Sequence, residues 1–183
     1  MTLSDIAKYF FKGEVPPDGI AVDYTMGNGY DTLFLSGIVP EGRVYAFDIQ
    51  EAAVESTRAR LSENKVTNVT LIHDSHSEVK KYVTSPVNAA MFNLGYLPGG
   101  DKSIHTMTES TLKAVASALE LLAPGGVLTV SVYPGHEEGT REGNAVVEML
   151  SKIDRRVYSI LQCKMLNSPA SPFIIAIERS MKG

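Results

Sequence analysis

Up to about residue 153 the chain alternates short apolar runs with longer helical patterns, and then two apolar runs follow each other with almost nothing between them. The runs IAVDY (20–24), RVYAF (43–47), VTLIH (69–73), NAAMFN (88–93) and GVLTVSVY (126–133) each precede a segment that reads as helix. Such alternation builds parallel strands joined by crossover helices on both faces of a sheet. The last two runs, RRVYSILQC and PFIIAIER, are separated only by KMLNSPAS, which leaves no room for a crossover helix. They must pair antiparallel. The expected fold is therefore α/β: a Rossmann-like, doubly wound sheet, mostly parallel, closed by an antiparallel terminal hairpin.

Two helices are explicit. One spans about 107–122, with Leu112, Val115, Ala116, Leu119 and Leu122 on one face, a Thr106–Glu109 capping-box pattern at its start, and Pro124, Gly125 and Gly126 to stop it. The other spans about 143–153, with Val146, Met149, Leu150 and Ile153 on one face. A chain of 183 residues with 44% hydrophobic content and no internal linker is one domain, residues 1–183, able to bury roughly 70% of its unfolded surface.

Charge narrows the partners. Lys and Arg number 17 against 21 Asp and Glu, a net charge of -4, so the molecule as a whole lacks the basic character of a nucleic-acid binder. Any RNA contact is local, and the candidate is the tail from Ser151, where Lys152, Arg155, Arg156, Lys164, Arg179 and Lys182 outnumber Asp154 and Glu178, with an ordinary solvated surface as the alternative reading. The single cysteine, Cys163, excludes an internal disulfide framework and fits a reducing compartment; its apolar strand context reads as a small core residue. The N-terminal MTLSDIAKYFFKGEV has no secretory h-region, and no stretch is long enough to span a bilayer. A cytoplasmic location is expected.

The segment AVDYTMGNGYDTLFL sets Asp23 at a strand end, Gly27 and Gly29 in the next turn, and Asp31 and Thr32 at the start of a helix. Glycines there let backbone pass close beneath a ligand, and the helix start offers unpaired amides. The second strand ends in Asp48, where a carboxylate can accept both hydroxyls of a ribose. A phosphate-loop nucleotide fits poorly because the G-K-[ST] ending is missing. A dinucleotide is disfavoured by Thr32 in place of the third glycine and by Asp23, which repels a pyrophosphate. S-adenosylmethionine carries an ammonium, a sulfonium and a ribose but no phosphate, so it suits acids at both strand ends.

These segments together resemble the class I S-adenosylmethionine-dependent methyltransferases, whose sixth strand and antiparallel seventh strand the terminal hairpin matches. That resemblance implies a seven-stranded sheet. VDYTMGNGYDT with FNLGYLPGGDK and a late YPGH is similar, more narrowly, to the bacterial rRNA methylase family, with Tyr24 in place of the usual Ala and Tyr30 in place of the usual His. Members of that family are assigned as methyltransferases of the tRNA wobble 5-aminomethyl-2-thiouridine. The resemblance implies cofactor contacts from Thr25, Gly27, Asn28, Gly29, Asp31 and Thr32 around the methionine moiety, joining Asp23, and from Asp48 and Gln50 to ribose and adenosine. Asp74, Ser75 and His76 end the third strand where this fold meets adenine, with an exposed first-turn histidine as the other reading of His76.

In this fold the fourth strand ends beside the transferable methyl, and Asn93 falls there, in contact with cofactor and substrate alike. Asn93, Leu94, Gly95, Tyr96 is similar in outline to the Asn/Asp-Pro-Pro-aromatic sequence of amine methyltransferases. The Asn93 side-chain carbonyl and the Leu94 backbone carbonyl would accept the amine's hydrogens, and Tyr96 would stack on a base. Gly95 and Pro98 shape the substrate loop, Asp101 is the candidate proton acceptor with a loop-capping role as its rival, and Lys102 or His136 would bind RNA phosphate. Ring-carbon methylation of uridine uses an enzyme thiol, and no motif surrounds Cys163. His73, His76, His105 and His136 lack ligand spacing with the acids, so no metal is expected. The expected partner is RNA, foremost a tRNA anticodon region, with a homodimer as a way to pool two basic tails. The alternatives are rRNA or a small amine as substrate, or a cofactor-binding module without activity.

Overall fold

A computed structural model describes residues 2–181 apart from 12, 14, 102, 136, 169 and 170. Lys102, His136 and Lys182, three of the expected RNA contacts, lie outside the described residues. The elements in chain order are α1 (Leu3–Tyr9), β1 (Ile20–Asp23), α2 (Tyr30–Ile38), β2 (Arg43–Asp48), α3 (Glu51–Glu63), β3 (Val69–His73), a 3-10 helix (His76–Lys81), β4 (Val87–Leu94), α4 (Thr108–Leu121), β5 (Leu122–Val132), α5 (Glu137–Ser151), β6 (Tyr158–Cys163) and β7 (Phe173–Arg179).

The seven strands form one sheet in the order β3-β2-β1-β4-β5-β7-β6. β1 to β5 pair in parallel, and β7 lies antiparallel between β5 and β6. This is the expected doubly wound sheet with its antiparallel closure. Strand side chains alternate between two cores. Ala21, Val44, Ala89, Met91 and Ile174 pack with α1 and α2 residues on one face, while Val22, Phe47, Ala90, Phe92 and Leu128 pack with α4 and α5 residues on the other. Tyr24 belongs to the second core, its ring stacked 4.0 Å from that of Phe92.

Two helix starts differ from the sequence expectation. The capping box before α4 does not form: Met107 is the N-cap, Thr106 donates its hydroxyl to Glu142, and the Glu138 carboxylate accepts the Thr108 amide and hydroxyl instead. Helix α5 begins at Glu137 because the polar EEGTREG stretch packs as helix. A Cβ at Gly143 would come within 2.5 Å of Val132, so only glycine lets α5 lie this close to β5. Between β3 and β4 only a single 3-10 helix intervenes, and α1 adds an N-terminal helix against β5 and β7, with Ala7 and Phe11 buried. Among the described residues, no helix is long and apolar enough to cross a membrane.

Candidate active site at the carboxyl edge of the sheet

Strands β1 and β4 are neighbours whose crossovers leave toward opposite faces, and a crevice opens at their carboxyl ends. The floor of that crevice is the loop between β1 and α2. Asp23 is wholly buried beneath it: Thr32 donates its hydroxyl to Oδ2 at 2.6 Å and the Thr25 amide donates to Oδ1 at 3.1 Å. Burial, with Asp31 nearby, pushes the Asp23 carboxyl up to about 7. Asp23 therefore lies beneath the loop, where the sequence places it in contact with the cofactor, and both its oxygens are taken by Thr25 and Thr32.

Gly29 heads α2 at φ +79°, and a Cβ there would lie 2.9 Å from Thr57, so the loop sits directly on α3. Thr57 donates to the Gly27 carbonyl, Ser56 to Asn28 Oδ1, and Arg60 to the Asn28 carbonyl while stacking 3.6 Å over the Tyr30 ring. Asn28 in turn donates to the Pro98 carbonyl at 3.2 Å, joining the two loops across the crevice. Asp48, at the end of β2, accepts the Gly27 amide at 3.1 Å and the Gln50 amide at 3.0 Å. Burial raises its carboxyl above the usual range, and those amides oppose the shift. Half-exposed and acceptor-only when ionised, Asp48 can take ribose hydroxyls. Gln50 is half-buried as the N-cap of α3. A Cβ on Gly27 would lie 3.5 Å from Leu97, in ordinary contact, so the two loops approach each other closely here. This donor and acceptor set suits a ligand with a ribose and an ammonium.

At the end of β3, Asp74 accepts from the Ser75 amide and the Tyr82 hydroxyl, which hold its carboxyl below the usual range, and Ser75 caps the 3-10 helix. His76 departs from expectation. Its ring is buried edge-on to Phe92 with Nδ1 3.2 Å from the Tyr24 carbonyl, and burial drives its pKa down to about 4. It supports the back of β1 and is no exposed first-turn histidine.

Asn93 stands at the end of β4 between all these parts. Its backbone amide donates to Thr25 Oγ1 and its Nδ2 donates to Asp31 Oδ2, each at 2.7 Å. Asp31 is buried in the first turn of α2, and its Oδ1 meets Lys8 Nζ at 3.1 Å and the Ser4 hydroxyl at 3.4 Å, both from α1. The negative charge of Asp31 also adds to burial in raising the Tyr133 phenol at the neighbouring end of β5.

The FNLGYLPGGD stretch forms a loop that leaves and returns at one neck. The Gly95 amide donates to Thr106 Oγ1 at 2.8 Å, the Thr106 amide returns to the Gly95 carbonyl at 2.9 Å, and Tyr96 bridges His105. The Thr106 hydroxyl passes on to Glu142, which also accepts from Thr111. Leu94 is buried opposite Val132, whereas Tyr96 is 40% exposed at the rim and Pro98 is exposed beyond it. Asp101 caps the loop: its Oδ1 accepts the Ser103 amide and hydroxyl, which hold the carboxyl below its usual range. A carboxylate so held is a weaker base, and the loop-capping role is the one its geometry serves.

The basic tail does not gather at this site. In the β6–β7 register, Tyr158 faces Arg179 and Cys163 faces Ile174, so Lys152, Arg155, Arg156 and Arg179 fall at the amino edge of the sheet. Arg156 pairs with Asp154, Lys152 with Glu148, and Arg179 donates to the Leu122 carbonyl. Lys164 alone among the tail's described cations lies at the carboxyl edge, over the Phe173 ring. Sequence reasoning missed Lys8, Ser4, Thr57, Arg60, Thr106 and Glu142. Each acts on a group far along the chain, and only Thr106 carries a local pattern, one that points to the start of α4 instead. Among the described residues, no group of three or more His, Cys, Asp or Glu could hold a metal ion.

Comparison with known proteins fits this geometry. Residues 44–178 match the family model “Putative rRNA methylase”. The chain is 34% identical to the chloroplastic tRNA (mnm(5)s(2)U34)-methyltransferase of Arabidopsis thaliana over 94% of its own length and 67% of that protein's. A “putative rRNA-methylase” of Clostridium thermocellum superposes with a TM-score of 0.91 at 39% identity, covering 97% of this chain and 96% of that one. SMU.1697c, a “putative methyltransferase” of Streptococcus mutans in complex with SAH, superposes with a TM-score of 0.90, also at 39% identity, covering 98% of each chain. With its sheet order, its two-acid crevice and these matches, the chain belongs to the rRNA methylase family of class I S-adenosylmethionine-dependent methyltransferases.

Proposed function

We propose that this enzyme N-methylates the exocyclic amine of 5-aminomethyl-2-thiouridine at the wobble position of a tRNA. The observation that carries the proposal is Asn93, which ends β4 at the crevice with its amide nitrogen turned onto Asp31 and its carbonyl oxygen turned away. Bound S-adenosylmethionine supplies an electrophilic methyl: the amine lone pair forms the new N–C bond as the S–C pair returns to sulfur, leaving S-adenosylhomocysteine. The chain's residues bind and orient. Asp48 takes the ribose, the loop over Asp23 bears the methionine end, Asp74 and Ser75 border the adenine, and Asn93 Oδ1 accepts a hydrogen of the incoming amine.

Only a neutral amine has a lone pair to offer. For a group titrating near ~10, neutrality at pH 7 costs about 4 kcal/mol, which burial beside a sulfonium partly offsets. With Asp101 committed to its loop, the amine releases its proton to solvent on entry. Tyr96 and Tyr133, exposed at the ends of β4 and β5, offer faces for stacking a base, and Lys164 offers a charge to phosphate. The name of the plant relative supports the wobble uridine over an rRNA or a small amine. A homodimer gripping one RNA in the cytoplasm belongs to the same proposal, and sedimentation with and without tRNA tests it.

The test is methyl transfer from labelled S-adenosylmethionine to bulk tRNA from cells lacking this gene, to rRNA and to small amines, with nucleoside mass analysis. Label on 5-aminomethyl-2-thiouridine is the expected result. Label confined to rRNA or a small amine overturns the tRNA assignment.

A further inference from the structure

We propose that Asp31, held from behind by Lys8 of α1, is a positioning residue that fixes which way the Asn93 amide faces, and so decides whether the site can receive an amine. This rests on the function proposed above for Asn93.

An Asn side chain can present either its carbonyl or its NH2 to a ligand, and the two ends occupy nearly the same volume. For an attacking amine the choice decides the outcome. A carbonyl accepts an amine hydrogen and aims the lone pair at the methyl, whereas an NH2 meets those hydrogens with its own. Nothing in the Asn93 side chain makes this choice, but its partner does. An ionised carboxylate only accepts, so the 2.7 Å contact with Asp31 Oδ2 must be made by Nδ2. Oδ1 is thereby turned away from α2.

The partner must itself be fixed for this to work. Asp31 is buried, and its other oxygen is engaged by Lys8 Nζ at 3.1 Å and by the Ser4 hydroxyl at 3.4 Å. Lys8 lies 5.3 Å over the Phe34 ring, and α1 is anchored by the buried Ala7 and Phe11, so the cation is delivered from a docked helix. It also balances a region where Asp23 feels the charges of both Asp31 and Asp48. The relay Lys8, Asp31, Asn93 thus links the N-terminal helix to the reacting edge of the sheet. It gives α1, which the sequence did not mark as functional, a part in the chemistry.

The experiment uses the full chain in four forms: wild type, Asp31→Asn, Asn93→Asp, and the double variant Asp31→Asn/Asn93→Asp. Each is measured for S-adenosylmethionine affinity by calorimetry and for single-turnover methyl transfer to tRNA. Asp31→Asn frees both amides to pair either way round and should slow transfer at saturating S-adenosylmethionine by about tenfold or more, the worth of one charge-assisted hydrogen bond. Asn93→Asp sets two carboxylates face to face and should lose at least as much. The double variant restores the polarity with the roles exchanged, residue 31 donating and residue 93 accepting, and should recover most of the loss. A double variant no faster than the slower single variant overturns the proposal, as does an Asp31→Asn protein that keeps its transfer rate at saturating cofactor.

A readout independent of activity separates this from the function it rests on. In 1H–15N spectra of the wild type, the Asn93 side-chain NH2 should show one strongly shifted, slowly exchanging proton that Asp31→Asn abolishes and Lys8→Met weakens. If the wild type methylates no RNA yet shows this signature, the substrate assignment fails and the amide lock stands. If the signature is absent, the lock fails whatever the substrate.

Discussion

The two loops that face each other across the crevice are built on opposite plans. The β1–α2 loop is tied down along its whole length: Thr25 and Thr32 to Asp23, Gly27 to Asp48 and Thr57, Asn28 to Ser56, Arg60 and Pro98. The Gly95–Thr106 loop hangs from one neck, where Gly95 and Thr106 pair and Glu142 holds Thr106 from below; beyond the neck its bonds are mostly to itself, as in Gly100 to Leu97 and Ser103 to Asp101. A small cofactor of fixed shape rewards a floor organised in advance, since ordering it on binding would cost affinity. A macromolecular substrate must enter and leave, and a loop held chiefly at its base, with the Asn28–Pro98 bond as a described tie to the floor, can move as one flap with little disturbance of that floor.

The largest way to break this contrast is to remove an anchor of the floor that also touches ligand. Asp48→Ala deletes the acceptor of the Gly27 amide and, in the proposed function, of two ribose hydroxyls. Two charge-assisted bonds at about 1.5–3 kcal/mol each predict a loss of about 3 kcal/mol or more, on the order of a hundredfold in S-adenosylmethionine affinity by calorimetry. Unchanged affinity would move the ribose elsewhere.

The floor also carries a cost that pH exposes. Asp23 is raised from 3.8 to about 7 by burial and by Asp31, so between those values the folded chain holds a proton that the unfolded chain has released. Stability therefore falls as pH rises from about 4 to about 7, by on the order of 2–4 kcal/mol from this group. His76 acts in the opposite sense: lowered to about 4, it costs stability as pH falls below about 6.5. Asp23→Asn should flatten the loss on the alkaline side while leaving the acid limb to His76, as read by denaturant melts at pH 4, 5.5 and 7. An unchanged slope in the variant would show that Asp23 ionises freely.

The contrast between the loops also marks what was legible in the sequence. Parallel pairing and antiparallel closure follow from the spacing of apolar runs, and the floor is legible because its glycines and acids are contiguous. The supports were hidden. Thr106 followed by Glu109 spells a capping box, yet Glu142, 36 residues on, takes the Thr106 hydroxyl, and a local pattern carries no sign of a distant competitor. The basic tail misled for a geometric reason. A strand of β6's length, at roughly 3.4 Å per residue, carries its ends about 17 Å apart. Cations adjacent in sequence are thereby divided between the two edges of the sheet, with Arg155 and Arg156 left at the edge away from the crevice.

The smallest of these effects tests the neck. Glu142 is almost wholly buried, its carboxyl raised by burial, and it holds Thr106 and Thr111 together. Glu142→Ala strands two hydroxyls and should cost about 1–2 kcal/mol of stability. Glu142→Gln keeps one acceptor and one donor, so the threonines can reorient and much of that loss should return. If the loop is hung from this point, Glu142→Ala raises KM for tRNA by about threefold, the scale of a weakened rather than deleted contact. Cofactor affinity and the spectrum of the β1–α2 loop stay as in the wild type. A parallel loss of cofactor affinity would mean that the two loops are one mechanical unit, joined through the Asn28–Pro98 bond. In that case the floor's order would depend on the flap's, and RNA binding should then tighten the cofactor by the same factor that the cofactor tightens RNA.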